Sequence, residues 1–359
     1  MSDLDDVAAL RAADPGAMLD AVLASPQQCR RGYEIGRAAV GLPSPEGATS
    51  IAFCGMGGSA IAGDVIRALF DDRLRLPLSV VRALGLPAHC GPDTIVLASS
   101  YSGETAETLR LFEEAVRRGC RVAALTSGGT LAARAEELGV PRIGLPPGFA
   151  MPRAAFGHLV LAPVGALEAI GLIPTLGADV EEAAGEMDRV IEACGPEVPS
   201  AGNAAKALAR SIGGRVPVVW GADGIGSAAA TRWKTQFNEN AKVPSFSAAL
   251  PELDHNEVVG WSTGRGDAFF LVALRHDGEP PEVAARFPLS IEIARSSGAL
   301  VQEVWASGRS SLARLLTLCL LGDLVSTYLA IALGVDPTPI DAIARLKRAL
   351  ADAAAAGRR

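Results

Sequence analysis

The chain has little cysteine and no paired cysteine. Its six, Cys29, Cys54, Cys90, Cys120, Cys194 and Cys319, are scattered without a C-x-x-C spacing. That argues against a disulfide framework and against a zinc site, and it fits a reduced, cytoplasmic setting. Cys54 and Cys319 sit in apolar runs and read as core filler. Positive charge is also short, with 33 Lys and Arg against 40 Asp and Glu and a net charge of -7. Such a balance is a poor one for a general nucleic-acid binder, and no nucleic-acid partner is expected. The N-terminus, MSDLDDVAAL, is acidic where a secretory signal would be basic. One long apolar run exists, LLTLCLLGDLVSTYLAIALG at 315–334, but Asp323 lies in its middle. A charge at a bilayer centre costs about 2.5–3.5 kcal/mol, so this segment is expected to be a helix buried in a core, with no membrane partner.

What is present is a repeated grammar of strand, turn and helix. Hydrophobic residues make up 49% and charged residues 20%, the balance of a globular chain long enough for two domains. SIAFCGMGGSAIAGDVIRALF reads as strand, glycine-rich turn and helix. RVPVVWGADGIGSAAATRWKTQF in the second half reads the same way, with Ser59 and Ser227 at matching places. The correspondence is that of a duplicated α/β unit. In the first half, strands are expected at 78–81, 94–98, 121–126 and 141–145, with helices at about 104–118 and 130–138. In the second half strands are expected at 216–220, 268–274, 289–293 and 301–304, followed by long helices. Residues 171–203 show no strand pattern and read as an acidic helical connector. The spacing predicts an α/β fold with parallel sheets covered on both faces. The expected division is an N-terminal helical segment at 1–29, a first domain at 30–170, the connector at 171–203 and a second domain at 204–359.

The turn SYSGET, Ser100 to Thr105, follows one apolar strand and opens a helix. Helix-opening N–H groups lack intrahelical partners and lie at the positive end of the helix dipole, so an anion fits there. Ser100, Ser102 and Thr105 add hydroxyl donors, and Gly103 lets a ligand approach the backbone. A plain N-cap by Ser102 or Thr105 is the competing reading. The second glycine turn, GMGGSA at 55–60, carries Gly55-x-Gly57 but has alanine at position 60. No acidic residue stands at the end of the next strand, which departs from a dinucleotide fingerprint.

Together these residues resemble the sugar isomerase (SIS) domain, of which S-x-S-G-x-T is the recognisable signature. PRAAFGHL, WKTQFNENAK, ELDHNEVVGW and GVDPTPIDAIARLK then follow in an order similar to that of bifunctional phosphoglucose/phosphomannose isomerases. The resemblance runs from about residue 30 to Lys347. It implies two SIS domains, each a parallel sheet flanked by helices in a flavodoxin-like αβα sandwich. It also implies a cytoplasmic enzyme without metal or cofactor that interconverts fructose 6-phosphate with glucose 6-phosphate and mannose 6-phosphate through a cis-enediol. Gly57, Gly58, Ser59, Ser100, Ser102 and Thr105 would hold the phosphate.

Four further residues carry the implied chemistry. By helical spacing Glu239 shares a side with Arg232 and Gln236, while Trp233 and Phe237 form an apolar stripe. A solvated glutamate is one reading, and the resemblance makes Glu239 the catalytic base. Arg153, following Pro152, is either a surface arginine or, by resemblance, the group that stabilises the enediolate. His255 lies in a loop between Asp254 and Glu257. The resemblance makes it a ring-opening group that reaches a neighbouring subunit's site, implying a homodimer with shared active sites. Ile340, Ile343, Lys347 and Leu350 fall on one helix face, so Lys347 is expected to point with the apolar side chains. It either snorkels or, by resemblance, opens the sugar ring. GADGIGSA has no S-x-S-G-x-T partner in its own half, so one phosphate site per chain is expected. A non-catalytic sugar-phosphate sensor, an isomerase of another sugar phosphate and a nucleotide-dependent enzyme remain as rivals at this point.

Overall fold

The computed structural model of the chain describes residues 3–356. Five strands form the first sheet: β1 (Ser50–Gly55), β2 (Leu78–Val81), β3 (Thr94–Ser99), β4 (Arg121–Thr126) and β5 (Arg142–Gly144). All neighbours are parallel, in the order β2-β1-β3-β4-β5. Every residue of β1 and β3 is buried, as unbroken apolar strands require when helices cover both faces. The second sheet holds β6 (Val216–Ala222), β7 (Phe246–Leu250), β8 (Phe269–Arg275) and β9 (Leu300–Trp305), parallel in the order β7-β6-β8-β9. The order in which strands are added reverses between β1 and β3 in one sheet and between β6 and β8 in the other. Ligand crevices of open parallel sheets lie at such reversals, beyond the C-terminal strand ends.

Ten helices matter to the argument: α1 (Ser25–Arg37), α2 (Ile61–Phe70), α3 (Ala106–Arg117), α4 (Gly129–Glu137), α5 (Phe156–Ala169), α6 (Gly177–Cys194), α7 (Ile225–Gln236), α8 (Arg286–Ser296), α9 (Ser311–Ala332) and α10 (Asp341–Ala356). The strand expected at 289–293 is instead part of α8. Leu289, Ile291 and Ile293 alternate like a strand, but the buried residues are Phe287, Ser290, Ile291 and Ala294. That is helical spacing, and Leu289 and Ile293 face outward. The edge strand β7 has no counterpart in the sequence reading.

Residues 315–332 of the apolar run lie within α9, which is long and apolar enough to cross a membrane, and its most apolar window is 94% buried inside the fold. α1 and α5 pack almost backbone to backbone. A Cβ on Gly36 would overlap the Ala162 carbonyl, and one on Gly165 would overlap that of Tyr33. α10 corrects an expectation. Ile340 precedes the helix, and Ile343, Leu346 and Leu350 are 40%, 59% and 61% exposed. The apolar face expected to turn inward with Lys347 therefore lies on the surface of the single chain.

Candidate active site

The duplicated units meet through α2 and α7. Between them lies a cleft of about 700 Å³, bordered by Gly57 and Gly58 after β1, by Asp223 and Gly224 after β6, and by Arg153 and Glu239. α7 presents Arg232 and Gln236 to the cleft, and the turn that follows it presents Glu239, while Trp233 and Phe237 are fully buried behind them. The helix does not end as a regular one. Phe237–Ala241 forms a π turn that carries Glu239 and Asn240, a distortion concentrated at functional sites.

Arg153 organises this region. Its side chain is 1% exposed, which rules out the surface reading. Nε–H donates to Asn240 Oδ1 (2.7 Å), one Nη1–H to Glu239 Oε2 (3.1 Å), and Nη2 to the Pro337 and Thr338 carbonyls (2.8 Å each). Among the described residues its second Nη1–H meets no acceptor. Burial lowers the Arg153 pKa and Glu239 opposes that shift; the guanidinium stays charged. Glu239, a quarter exposed, is thus a paired carboxylate facing the cleft and not a freely solvated one. Lys242, in the left-handed region at φ +56, donates to the Asn240 and Pro337 carbonyls (3.1 and 3.0 Å). Arg153 and Lys242 together pin the loop that leads to α10.

The structure does not bring His255 or Lys347 to this cleft within one chain. Both are exposed, and neither borders it. His255 ends a short turn after β7. Among the described residues, no group of three or more His, Cys, Asp or Glu side chains could hold a metal ion.

The hydroxyl turn stands at the reversal of the first sheet, where Gly55 pairs with Ser99. Of the expected phosphate residues, Gly57 and Gly58 border the cleft; Ser59, Ser100, Ser102 and Thr105 do not. The two turns are joined, since Tyr101 N–H donates to Ser59 Oγ (3.1 Å). Ser100 Oγ donates to Thr105 Oγ1 (3.0 Å), and Ser102 Oγ accepts from Glu104 N–H (3.2 Å). Thr105 occupies the N-cap position of α3, yet no side chain caps the helix. Gly103 is required for a different reason from the one expected. At φ +72, its open side is filled by the Gly128 carbonyl, so it serves packing against the next turn. Sequence reasoning also missed Tyr101. Its hydroxyl donates to the Pro146 carbonyl (2.9 Å) and accepts from Phe149 N–H (3.2 Å), tying down the loop that delivers Arg153. The sequence marks Gln236 only by its spacing. It is buried at the cleft, with its amide beside the Asp323 carboxylate.

At the matching place in the second sheet, β8 runs into Arg275-His276-Asp277-Gly278-Glu279. Arg275 pairs there with Glu279 (2.8 Å) and Glu303 (2.7 Å), and Pro280 and Pro281 lack N–H donors at the helix start that follows. That crevice holds its own ion pairs where the first sheet offers open donors.

Two parallel sheets with a hydroxyl turn at one reversal and an Arg–Glu pair between them define a double SIS-domain protein of the sugar-isomerase type. Residues 46–139 match the family model for the SIS domain, and residues 201–350 that for the bacterial phospho-glucose isomerase C-terminal SIS domain. The chain is 35% identical over 337 residues to a bifunctional phosphoglucose/phosphomannose isomerase of Caldicellulosiruptor bescii, covering 93% of this chain and 99% of that one. It is 35% identical to one of Aquifex aeolicus, covering 84% and 90%. Its fold is similar to the crystal structure of a hypothetical protein from Thermus thermophilus, with a TM-score of 0.73 at 17% identity over 97% of this chain and 94% of that one. The chain belongs to the bifunctional phosphoglucose/phosphomannose isomerase family.

Proposed function

We propose that the chain interconverts fructose 6-phosphate with glucose 6-phosphate and mannose 6-phosphate by a metal-independent proton transfer through a cis-enediol. The observation that carries this reading is the Glu239 carboxylate held 3.1 Å from the buried Arg153 guanidinium at the cleft between the sheets. Glu239 removes a proton from one of C1 or C2 and returns it to the other. The second Nη1–H of Arg153 meets the negative oxygen that develops between. The phosphate rests against Gly57, Gly58, Ser59, Ser100, Ser102 and Thr105, where the uncapped start of α3 offers backbone donors. Residues 30–170 hold this anion and Arg153. Residues 204–359 supply Glu239, His255 and Lys347, joined to the first unit by 171–203 and preceded by 1–29.

His255 and Lys347 open the sugar ring, and both enter the reaction through assembly. Their exposure, and that of Ile343, Leu346 and Leu350 on α10, fits a homodimer whose sites are shared across the interface. Six free cysteines, five of them buried, fit a cytoplasmic location. The test is turnover of fructose 6-phosphate with EDTA present, reading both aldose products separately. Both products are expected. Binding without turnover would turn the reading into that of a sensor.

A further inference from the structure

We propose that the buried pair Arg232–Asp323 is a positioning device that sets Arg153 against Glu239, a role separable from its part in folding. The inference rests on the isomerase reading above. Both side chains are 2% exposed, and Asp323 is the one acidic residue of α9. Its two oxygens accept from Arg232 Nε and Nη2 at 2.9 Å each. Burial raises the Asp323 carboxyl and Arg232 opposes that rise.

A pair that only neutralised itself would need no other partner, and this one has several. Arg232 Nη2 also donates to the Arg153 carbonyl (2.9 Å), and its guanidinium lies over the Phe156 ring at 4.2 Å. Residues 153 and 156 flank the end of the short turn Pro152–Ala155, so Arg232 grips the backbone that delivers Arg153. The side chain of Arg153 is fixed from the same stretch of α9. Asn240 Oδ1 accepts from Arg153 Nε, Asn240 Nδ2 donates to Ser326 Oγ (3.0 Å), and Ser326 Oγ donates to the Asp323 carbonyl (3.0 Å). One turn of α9 therefore anchors both the main chain and the side chain of Arg153, and the π turn beside Glu239. Replacing a buried ion pair by well-packed apolar residues is often neutral for stability. Stability alone therefore gives no reason for a charge at position 323, whereas orientation of the Arg153 fork does.

The test uses the full-length protein, the double variant Arg232→Met/Asp323→Leu and the single variant Ser326→Ala. Melting temperature, steady-state kinetics with fructose 6-phosphate, and calorimetric affinity for a five-carbon aldonic acid 5-phosphate are measured for each. The carboxylate of that acid imitates the enediolate. The double variant is expected to melt close to wild type. Its kcat should fall by about 10- to 100-fold, the scale of a small misplacement of a catalytic group. KM for fructose 6-phosphate should stay within about twofold, and affinity for the aldonate phosphate should fall with kcat. Ser326→Ala should show the same pattern more weakly. It decides the matter if the double variant does not fold. A folded double variant, or a folded Ser326→Ala, with wild-type kcat and aldonate affinity overturns the inference while leaving the isomerase reading intact. Wild-type protein that binds the aldonate without turnover defeats only the isomerase reading, and affinities across the variants then decide the inference. Wild-type protein that binds neither compound overturns both.

Discussion

At the scale of single residues, Glu239 is the sharpest test. Glu239→Gln keeps the shape and a hydrogen-bond acceptor for Arg153 but cannot take a proton. Its kcat is expected to fall by about 10²–10⁴-fold, with KM little changed, in a coupled assay of aldose formation. Arg153→Lys is not a conservative change here, because a lysine cannot reproduce a fork that reaches Asn240, Glu239, Pro337 and Thr338 together. Buried histidines contribute to the response to acid. Burial holds His158 neutral in the fold and pushes it from 6.5 down to about 4, and His276 is lowered for the same reason. The unfolded chain takes up these protons as pH drops below about 6.5, while the folded chain resists, at His158 until about 4. Stability is therefore expected to decline as pH falls through that window, and His158→Phe to lessen the decline. Melting temperatures between pH 7 and pH 4 would show it; an unchanged slope in the variant would remove His158 from the account.

At the scale of elements, the α1–α5 contact depends on glycine. Gly36→Ala puts a methyl where the Ala162 carbonyl already lies, and forced overpacking of this kind costs about 1–3 kcal/mol. Urea unfolding should show that loss, with a smaller effect if the helices can move apart. The elements also show how far the sequence could be read. β1, β3, β4 and β8 are continuous apolar runs ended by glycine or polar turns, and that pattern is local and legible. Phe246–Leu250 escapes such a reading because an edge strand half open to solvent, written FSAAL, has neither an apolar run nor alternation. α8 misleads because its exposed Leu289 and Ile293 imitate a strand's period. Gly103 and Tyr101 are visible in the sequence, but their partners Gly128, Pro146 and Phe149 are not adjacent to them. The ion pair at the cleft is out of reach of any local pattern, since Arg153 and Glu239 are 86 positions apart.

At the scale of the whole molecule, the exposed His255 makes a prediction that only an assembly can meet. Glu239→Gln and His255→Ala proteins should each be nearly inactive. Mixed under conditions that exchange subunits, they should recover about a quarter of wild-type activity, because a hybrid dimer has one complete site. If His255 works within its own chain, no hybrid site is complete and mixing restores nothing. Activity of the mixture, with the mass of the species measured alongside, separates the two.

The C-terminal loop carries a further consequence. The carbonyls of Pro337 and Thr338 take both Nη2 hydrogens of Arg153, and Lys242 is held by the same loop. A protease cutting after Gly334 would spare both sheets, the hydroxyl turn and Glu239. Loss of the tail would still remove some of the acceptors of two cationic groups, leaving Arg153 to Asn240 and Glu239 and Lys242 to the Asn240 carbonyl. The tail in that sense braces the cleft from behind, and a chain cut there is expected to keep both sheets while losing the fixed aim of Arg153.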